Sequence, residues 1–369
     1  MRLADLFAAH WVSYRHTHAQ SLCRAHHRAA EALMTCRTPA QGGRYYACAD
    51  CGAVHGRYYS CHHRSCPQCG GSEQQRWAAT QEAKLLPCDY FLLTFTLPQG
   101  LRRLVYREQQ ALFKLFFDAV AQTMRDMAAD PQWLGGEIGF LCVLHTWTRR
   151  LLYHPHIHIL MPGMALDPKH HRILRPVKSP YLVPGNVIAA MLRNRFEILL
   201  KTRHPHWHNQ LPTMLWRQSW VADVENVGRG KEALRYLSAY VAKSAITDAR
   251  ILGEDHQGRA LVRWFDRHHH NAPRTMALPP HELIRRVLLH VLPKGLRRIR
   301  YYGWLSPAAN KRFSRVCLLC GLARLPHLPE IPTNDPLCEH CGSERLILIG
   351  SFPKARPPPQ ATTRPILMP

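Results

Sequence analysis

The sequence predicts an α+β protein, an antiparallel sheet with flanking helices set between two cysteine-rich modules. Three features carry this expectation. Residues 89–97, 139–150 and 151–163 are rich in aromatic and β-branched side chains in strand-like runs. Stretches with apolar residues three and four apart separate or follow them, as amphipathic helices require. Cysteines pair as C-x-x-C at Cys48/Cys51 and Cys66/Cys69 near the start, and at Cys317/Cys320 and Cys338/Cys341 near the end.

Taken in order, Leu3, Leu6, Phe7 and Trp11 recur at i, i+3, i+4 and i+8, one apolar face of a helix within residues 1–35. The glycine-containing TPAQGGRYYAC ends that region and leads into the first cysteine cluster. CDYFLLTFTLP reads as a strand over 89–97 stopped by Pro98, which has no amide for a ladder. LRRLVYREQQALFKLFFDAVAQTMRDMAA reads as one amphipathic helix. GFLCVLHTWTRR and LLYHPHIHILMPG then form two strands, most simply an antiparallel hairpin. Residues 186–201 are helical, SWVADVENVGRG is a strand and glycine turn, and KEALRYLSAYVAKSAI is a helix. GRALVRWFDRHHHNAPRTMAL predicts a further hairpin, and PPHELIRRVLLHVLPKGLRRIRYYGWL a helix followed by a basic segment. We therefore expect an N-terminal helix and cysteine module over 1–85, the sheet domain over 86–250, and its basic extension over 251–310. A cysteine ribbon over 311–350 and a Pro-rich, disordered tail over 351–369 complete the chain.

Charge indicates the partner. The 369 residues include 49 Lys plus Arg against 25 Asp plus Glu, a formal net charge of +24. Such an excess points to a polyanion, above all nucleic acid. No run approaches the roughly 20 apolar residues of a membrane span. The N-terminus breaks its apolar run with His and Arg, so no signal peptide is expected. A cytoplasmic, nucleoid-associated protein with no membrane partner follows.

In a reducing compartment, C-x-x-C spacing means metal more often than disulfide. Thiolates from one knuckle meet two from another around tetrahedral Zn²⁺. We expect two structural zinc ions, one on Cys48, Cys51, Cys66 and Cys69 and one on Cys317, Cys320, Cys338 and Cys341. Cys61, His62 and His63 are spare donors that could reshuffle the first set.

The strand LLYHPHIHILMPG carries the chemistry. Residues two apart share a strand face, so His156 and His158 project together while Ile157 and Ile159 point the other way. Two imidazoles from one rigid strand form half a divalent-metal site. RHPHWHN (203–209) repeats the histidine spacing at His204, His206 and His208 but lacks strand-forming flanks, and is expected to be a surface loop without a site. In YLSAYVAK, Tyr236 and Tyr240 stack on one helix face with Lys243 adjacent. Alone, two such tyrosines would be packing. Beside a metal-ready strand in a basic protein, they are candidate nucleophiles for a phosphodiester. A tyrosine hydroxyl, with a pKa of about 10, needs positioning and help to attack. No H-E-x-x-H is present, which argues against a zinc peptidase.

With these residues in hand, the chain resembles the HUH nucleases, named for His-hydrophobic-His, here His156-Ile157-His158. Among them it is similar to the two-tyrosine transposases of the insertion-sequence-91 family, which move by single-strand, rolling-circle-like transposition. The resemblance runs through CRTPAQGG, SCHHRSCPQC, FLLTFTLP, LHTWTRRLLYHPHIHILMPG, RYLSAYVAKSAI and HVLPKGLRRIRYYGWL. It implies an HUH domain over 86–250 with a zinc-binding domain before it. It also implies a DNA nickase and strand transferase using Mg²⁺ or Mn²⁺ on single-stranded ends of a mobile element. The metal would sit on His156 and His158, and the nucleophiles would be Tyr236 and Tyr240. The third ligand is not fixed by sequence: His145, on the neighbouring strand, is the first candidate, Glu232 the second and His154 the third. A replication initiator or relaxase would share this chemistry, and a non-enzymatic zinc-ribbon regulator would share the charge and cysteines.

Overall fold

The structure, a computed structural model, describes residues 1–167, 169–178, 180–241, 244–267, 269–322 and 337–354, with backbone alone at 240 and 241. The N-terminal helical region divides into α1 (Leu3–Thr17) and α2 (Arg24–Thr35). Leu3, Leu6, Phe7 and Trp11 are all buried on α1, as their spacing requires. The hairpin β1 (Gly43–Cys48) and β2 (Val54–Tyr58) precedes α3 (Gly71–Glu82). Strand β3 (Tyr90–Thr96) matches the run stopped by Pro98. The helix expected after it is two, α4 (Gln99–Arg107) and α5 (Gln109–Ala129), because Glu108 leaves the helical region at φ −114°, ψ 42°.

Strands β4 (Gly139–Trp147) and β5 (Tyr153–Pro162) form the expected antiparallel pair. They are followed by the short pair β6 (Ala165–Asp167) and β7 (Arg172–Leu174), then α6 (Gly185–Arg203). RHPHWHN is not a loop: Pro205 starts the short helix α7 (Pro205–Asn209), a position where its missing N–H costs nothing. Helix α8 (Met214–Arg217), strand β8 (Val221–Asn226) and helix α9 (Lys231–Val241) come next. Beyond them lie β9 (Ile251–Glu254), β10 (Ala260–Asp266), β11 (Ala272–Leu278) and α10 (Pro280–Leu288). The described chain closes with β12 (Ile299–Gly303), α11 (Asn310–Leu319) and β13 (Leu346–Phe352).

The central sheet has five strands in the order β12-β4-β5-β3-β8, every neighbouring pair antiparallel. Strand alternation gives it two apolar faces. On one, Leu93, Phe95, Phe140, Leu144, Ile157 and Ile159 pack with Phe113, Phe116 and Phe117 of α5 and Phe196 of α6. On the other, Leu141, Val143 and Leu160 pack with Leu234 and Leu237 of α9, with Trp304, and with Val316 and Cys317 of α11. Burying a side chain of this size stabilises by roughly 1.5–3 kcal/mol, so both faces hold the sheet rigid.

The packing crosses the boundaries expected from sequence. The basic segment after α10 is β12, an edge strand beside β4, so the sheet does not end at residue 250. Helix α1 shares one core with Ile251, Val262, Leu283 and Ile284, so residues 1–85 and 251–310 are not separate bodies. Strand β13 pairs with β1, carrying the C-terminal cysteine segment onto the N-terminal module. The tail from 355 lies outside the described residues.

Candidate active site and metal centres

On the face covered by α9, the alternation that buries Leu141 and Val143 of β4 next presents His145. On β5 the same face runs Leu160, His158, His156. The register sets His145 opposite His156 and Val143 opposite His158. All three imidazoles are buried, and their candidate ligand nitrogens lie within 4.8 Å of one another. His156 Nδ1 is 2.7 Å from the His154 carbonyl, which can only accept, so that nitrogen carries the proton. Its Nε2 then has the lone pair and faces His145 Nδ1 at 2.8 Å. His158 Nδ1 lies 2.9 Å from Thr94 Oγ1 on the neighbouring strand, a partner that fixes the ring. Thr94 was not singled out from sequence, since only the β3–β5 register opposes it to His158.

Burial pushes these groups toward neutrality. His156 falls to about 4 and His158 to about 3, burial being the main cause and, for His158, the neighbouring His156 the next. His145 is held well below the ordinary histidine value, again chiefly by burial. Near neutral pH all three are uncharged and can donate lone pairs to a cation. The other two third-ligand candidates do not join the group: His154 lies beside His156 with ring centroids 5.2 Å apart, and Glu232 sits in the first turn of α9.

Helix α9 buries Leu234 and Leu237 and turns Tyr236 outward, 44% exposed. The Tyr236 ring stands edge-on to His158, centroids 5.7 Å apart. The side chain of Tyr240, one turn further along α9, and the whole of Lys243 lie outside the described residues.

The cysteines assemble differently from the expectation. One group is Cys36, Cys61, Cys66 and Cys69, and the other Cys48, Cys51, Cys338 and Cys341, each with all sulfurs within 4.8 Å. Cys48 and Cys51 therefore meet the C-terminal knuckle rather than Cys66 and Cys69. The Cys48–Cys341, Cys51–Cys338 and Cys61–Cys69 sulfurs are each 3.6 Å apart. Four thiolates at about 2.3 Å from a tetrahedral Zn²⁺ would be about 3.8 Å apart, so the spacing fits that ion. Hydrogen bonds from Cys61 and Cys66 hold the Cys69 thiol low, and the amide of Cys51 brings Cys48 down to about 6. Cys317 and Cys320 join neither group. Cys317, on α11, is buried in the apolar core, and Cys320, which caps that helix, has its sulfur 3.7 Å from the Met164 sulfur. Burial raises both thiols. Cys36, which closes α2, was missed because it has no cysteine within a knuckle's spacing.

Comparison with known proteins decides the family. Residues 6–97 match the family described as "Transposase zinc-binding domain", of insertion-sequence-91 type, and residues 139–312 the family described as "Putative transposase". A relative named "Putative transposase y4qJ" from Sinorhizobium fredii (strain NBRC 101917 / NGR234) is 35% identical over 321 residues, 82% of this chain and 80% of its own length. The chain belongs to the insertion-sequence-91 transposase family. A second relative, "Transposase for insertion sequence element IS801" from Pseudomonas savastanoi pv. phaseolicola, is 25% identical over 77% of this chain and 70% of its own. No solved structure gave a significant match. As a transposase the protein binds DNA, and membership implies DNA cleavage. The zinc-binding domain and the four-cysteine groups support structural Zn²⁺. Among the described residues no helix is long and apolar enough to cross a membrane.

Proposed function

We propose that this transposase nicks and rejoins single-stranded DNA through a 5′-phosphotyrosine intermediate, in rolling-circle-like transposition of its insertion sequence. The observation that carries the reading is the exposed Tyr236 ring 5.7 Å from His158, one of three buried imidazoles on a rigid sheet. We read the sheet, with His156-Ile157-His158 on its middle strand and the tyrosine helix over its face, as an HUH nuclease domain. His145, His156 and His158 would hold a divalent cation, which when bound polarises the scissile phosphate and offsets charge on its oxygens. Three imidazoles suit a transition ion better than hard Mg²⁺, so Mn²⁺ is expected to support more activity.

Tyr236 Oη attacks phosphorus, the bond to the 3′-oxygen breaks, and the phenol's proton ends on the departing 3′-hydroxyl. The phosphotyrosine link retains the phosphodiester's energy, so another 3′-hydroxyl can reverse the step and join strands without ATP. Tyr240 offers a second such link, and Lys243 is assigned to the same catalytic group. Structural zinc is assigned to Cys36, Cys61, Cys66 and Cys69, and to Cys48, Cys51, Cys338 and Cys341.

Incubation with Mn²⁺ and single-stranded oligonucleotides from the element's ends, resolved on denaturing gels, tests this. Wild type should form a covalent protein–DNA adduct. His156→Ala should lose at least about a hundredfold in adduct rate while retaining DNA. Retention without any adduct in wild type would leave only a zinc-containing DNA binder.

A further inference from the structure

A cavity of about 340 Å³ opens between the end of β4, residues 244–250 and the β10–β11 hairpin. Its lining includes His145, Trp147, Arg149, Ala239, Phe265 and Asn271. His145 belongs to the imidazole group, and Ala239 lies on the tyrosine helix, three residues after Tyr236. The cavity is thus continuous with both halves of the reading proposed above, on which this inference rests. We infer that it receives one unpaired nucleobase of the DNA strand, from a nucleotide adjacent to the cleaved phosphate.

The lining has the chemistry of a base receptor. Phe265 is 44% exposed, an aromatic ring left uncovered at the end of β10, whereas Trp147 is buried and forms fixed wall. Bases of any sequence stack on such a ring. The polar edge is supplied by Asn271. Its Oδ1 accepts from the Arg149 guanidinium at 2.6 Å, which leaves the amide nitrogen to donate to a base. A cavity of this size has room for one flat ring, and a base stacked in a duplex cannot enter it without being unstacked, which selects an unpaired strand. A bare phosphate would need neither the aromatic wall nor the amide.

The receptor is also preformed. Arg149 donates to the Phe265 carbonyl at 3.2 Å as well as to Asn271, tying the hairpin to the β4–β5 turn. Arg250 donates to the carbonyls of Arg149, Ala245 and Arg263, at 2.6, 3.4 and 2.9 Å, and so joins all three walls. Arg150 lies 5.5 Å over the Trp264 ring on the same hairpin. Walls fixed in this way need little ordering when a strand binds.

The test is an abasic scan. Fluorescent single-stranded oligonucleotides covering the element's ends, each with one base removed in turn, are titrated against wild type and Phe265→Ala by anisotropy. Wild type should show one position where base removal weakens binding about tenfold. Phe265→Ala should bind the intact strand about tenfold more weakly and lose nothing more when that base is absent. Phe265→Leu, which keeps the apolar bulk without the ring face, should resemble Phe265→Ala, and unchanged melting of both variants separates the effect from misfolding. Losses that add, or a scan that Phe265→Ala leaves unaltered, would overturn the receptor. The expected pattern in a protein that forms no adduct would keep the receptor and remove the nickase reading; no binding of single strands would remove both.

Discussion

A buried imidazole loses the water that would solvate its charge, and His290 stays neutral for that reason. Its Nε2 donates to the Leu151 carbonyl at 3.2 Å, and Thr146 Oγ1, 3.3 Å from Nδ1, supplies the other hydrogen bond. Full burial lowers it to about 4, against an ordinary value near 6.5. The unfolded chain therefore takes up a proton that the folded chain refuses. Stability from this residue is complete above pH 6.5 and falls as pH drops toward 4, by roughly 3 kcal/mol in all. His290→Gln, which keeps an N–H for Leu151, should show a shallower loss of melting temperature between pH 6.5 and 4. Parallel wild-type and variant profiles would contradict this. Of the three clustered imidazoles, the pairing of His156 with His158 was legible because period-two alternation fixes their common face. His145 was legible only as a candidate, since its pairing with His156 depends on register. Thr94 had no local signal at all.

Elements were legible where periodicity is strong and opaque where a single residue decides. Glu108 breaks a helix with neither glycine nor proline to announce it, and HPHWHN became a short helix through proline at its first position. The basic stretch holding β12 hid an edge strand, where charged residues are common because they discourage stray pairing. How β12 docks is shown by Gly303, which pairs with Gly139 at φ +57°. A Cβ there would lie 1.7 Å from the Ile138 carbonyl oxygen, and one on Gly139 would lie 2.5 Å from the Trp304 ring. Gly303→Ala should therefore destabilise by about 3 kcal/mol or more, combining a strained backbone with overpacking. Hydrogen exchange should show β12 and its neighbour β4 opening first. Wild-type protection in both strands would mean that the docking tolerates the methyl group.

Across the whole molecule, the sequence showed the cysteine knuckles but not their partners, because a C-x-x-C pair is local and its mate is set by tertiary structure. Pairing of β13 with β1 brings Cys338 and Cys341 to Cys48 and Cys51, and Arg345 to Asp50 with an ion pair of 2.7 Å. One Zn²⁺ held by these four thiolates would join the N-terminal module to the C-terminal cysteine segment. The double variant Cys338→Ser, Cys341→Ser should lose one equivalent of zinc by elemental analysis and loosen the β1–β2 hairpin. Cys317→Ser, Cys320→Ser should keep all its zinc; loss of an equivalent there would restore a separate C-terminal ribbon. The same folding together of distant segments sets α9 over the histidine face, and that juxtaposition is the centre of the account. It is tested most directly by mass spectrometry of the DNA-linked peptide from adducts formed in Mn²⁺. A nucleotide carried on Tyr236 or Tyr240 is the predicted result, and attachment to any residue off α9 would contradict it.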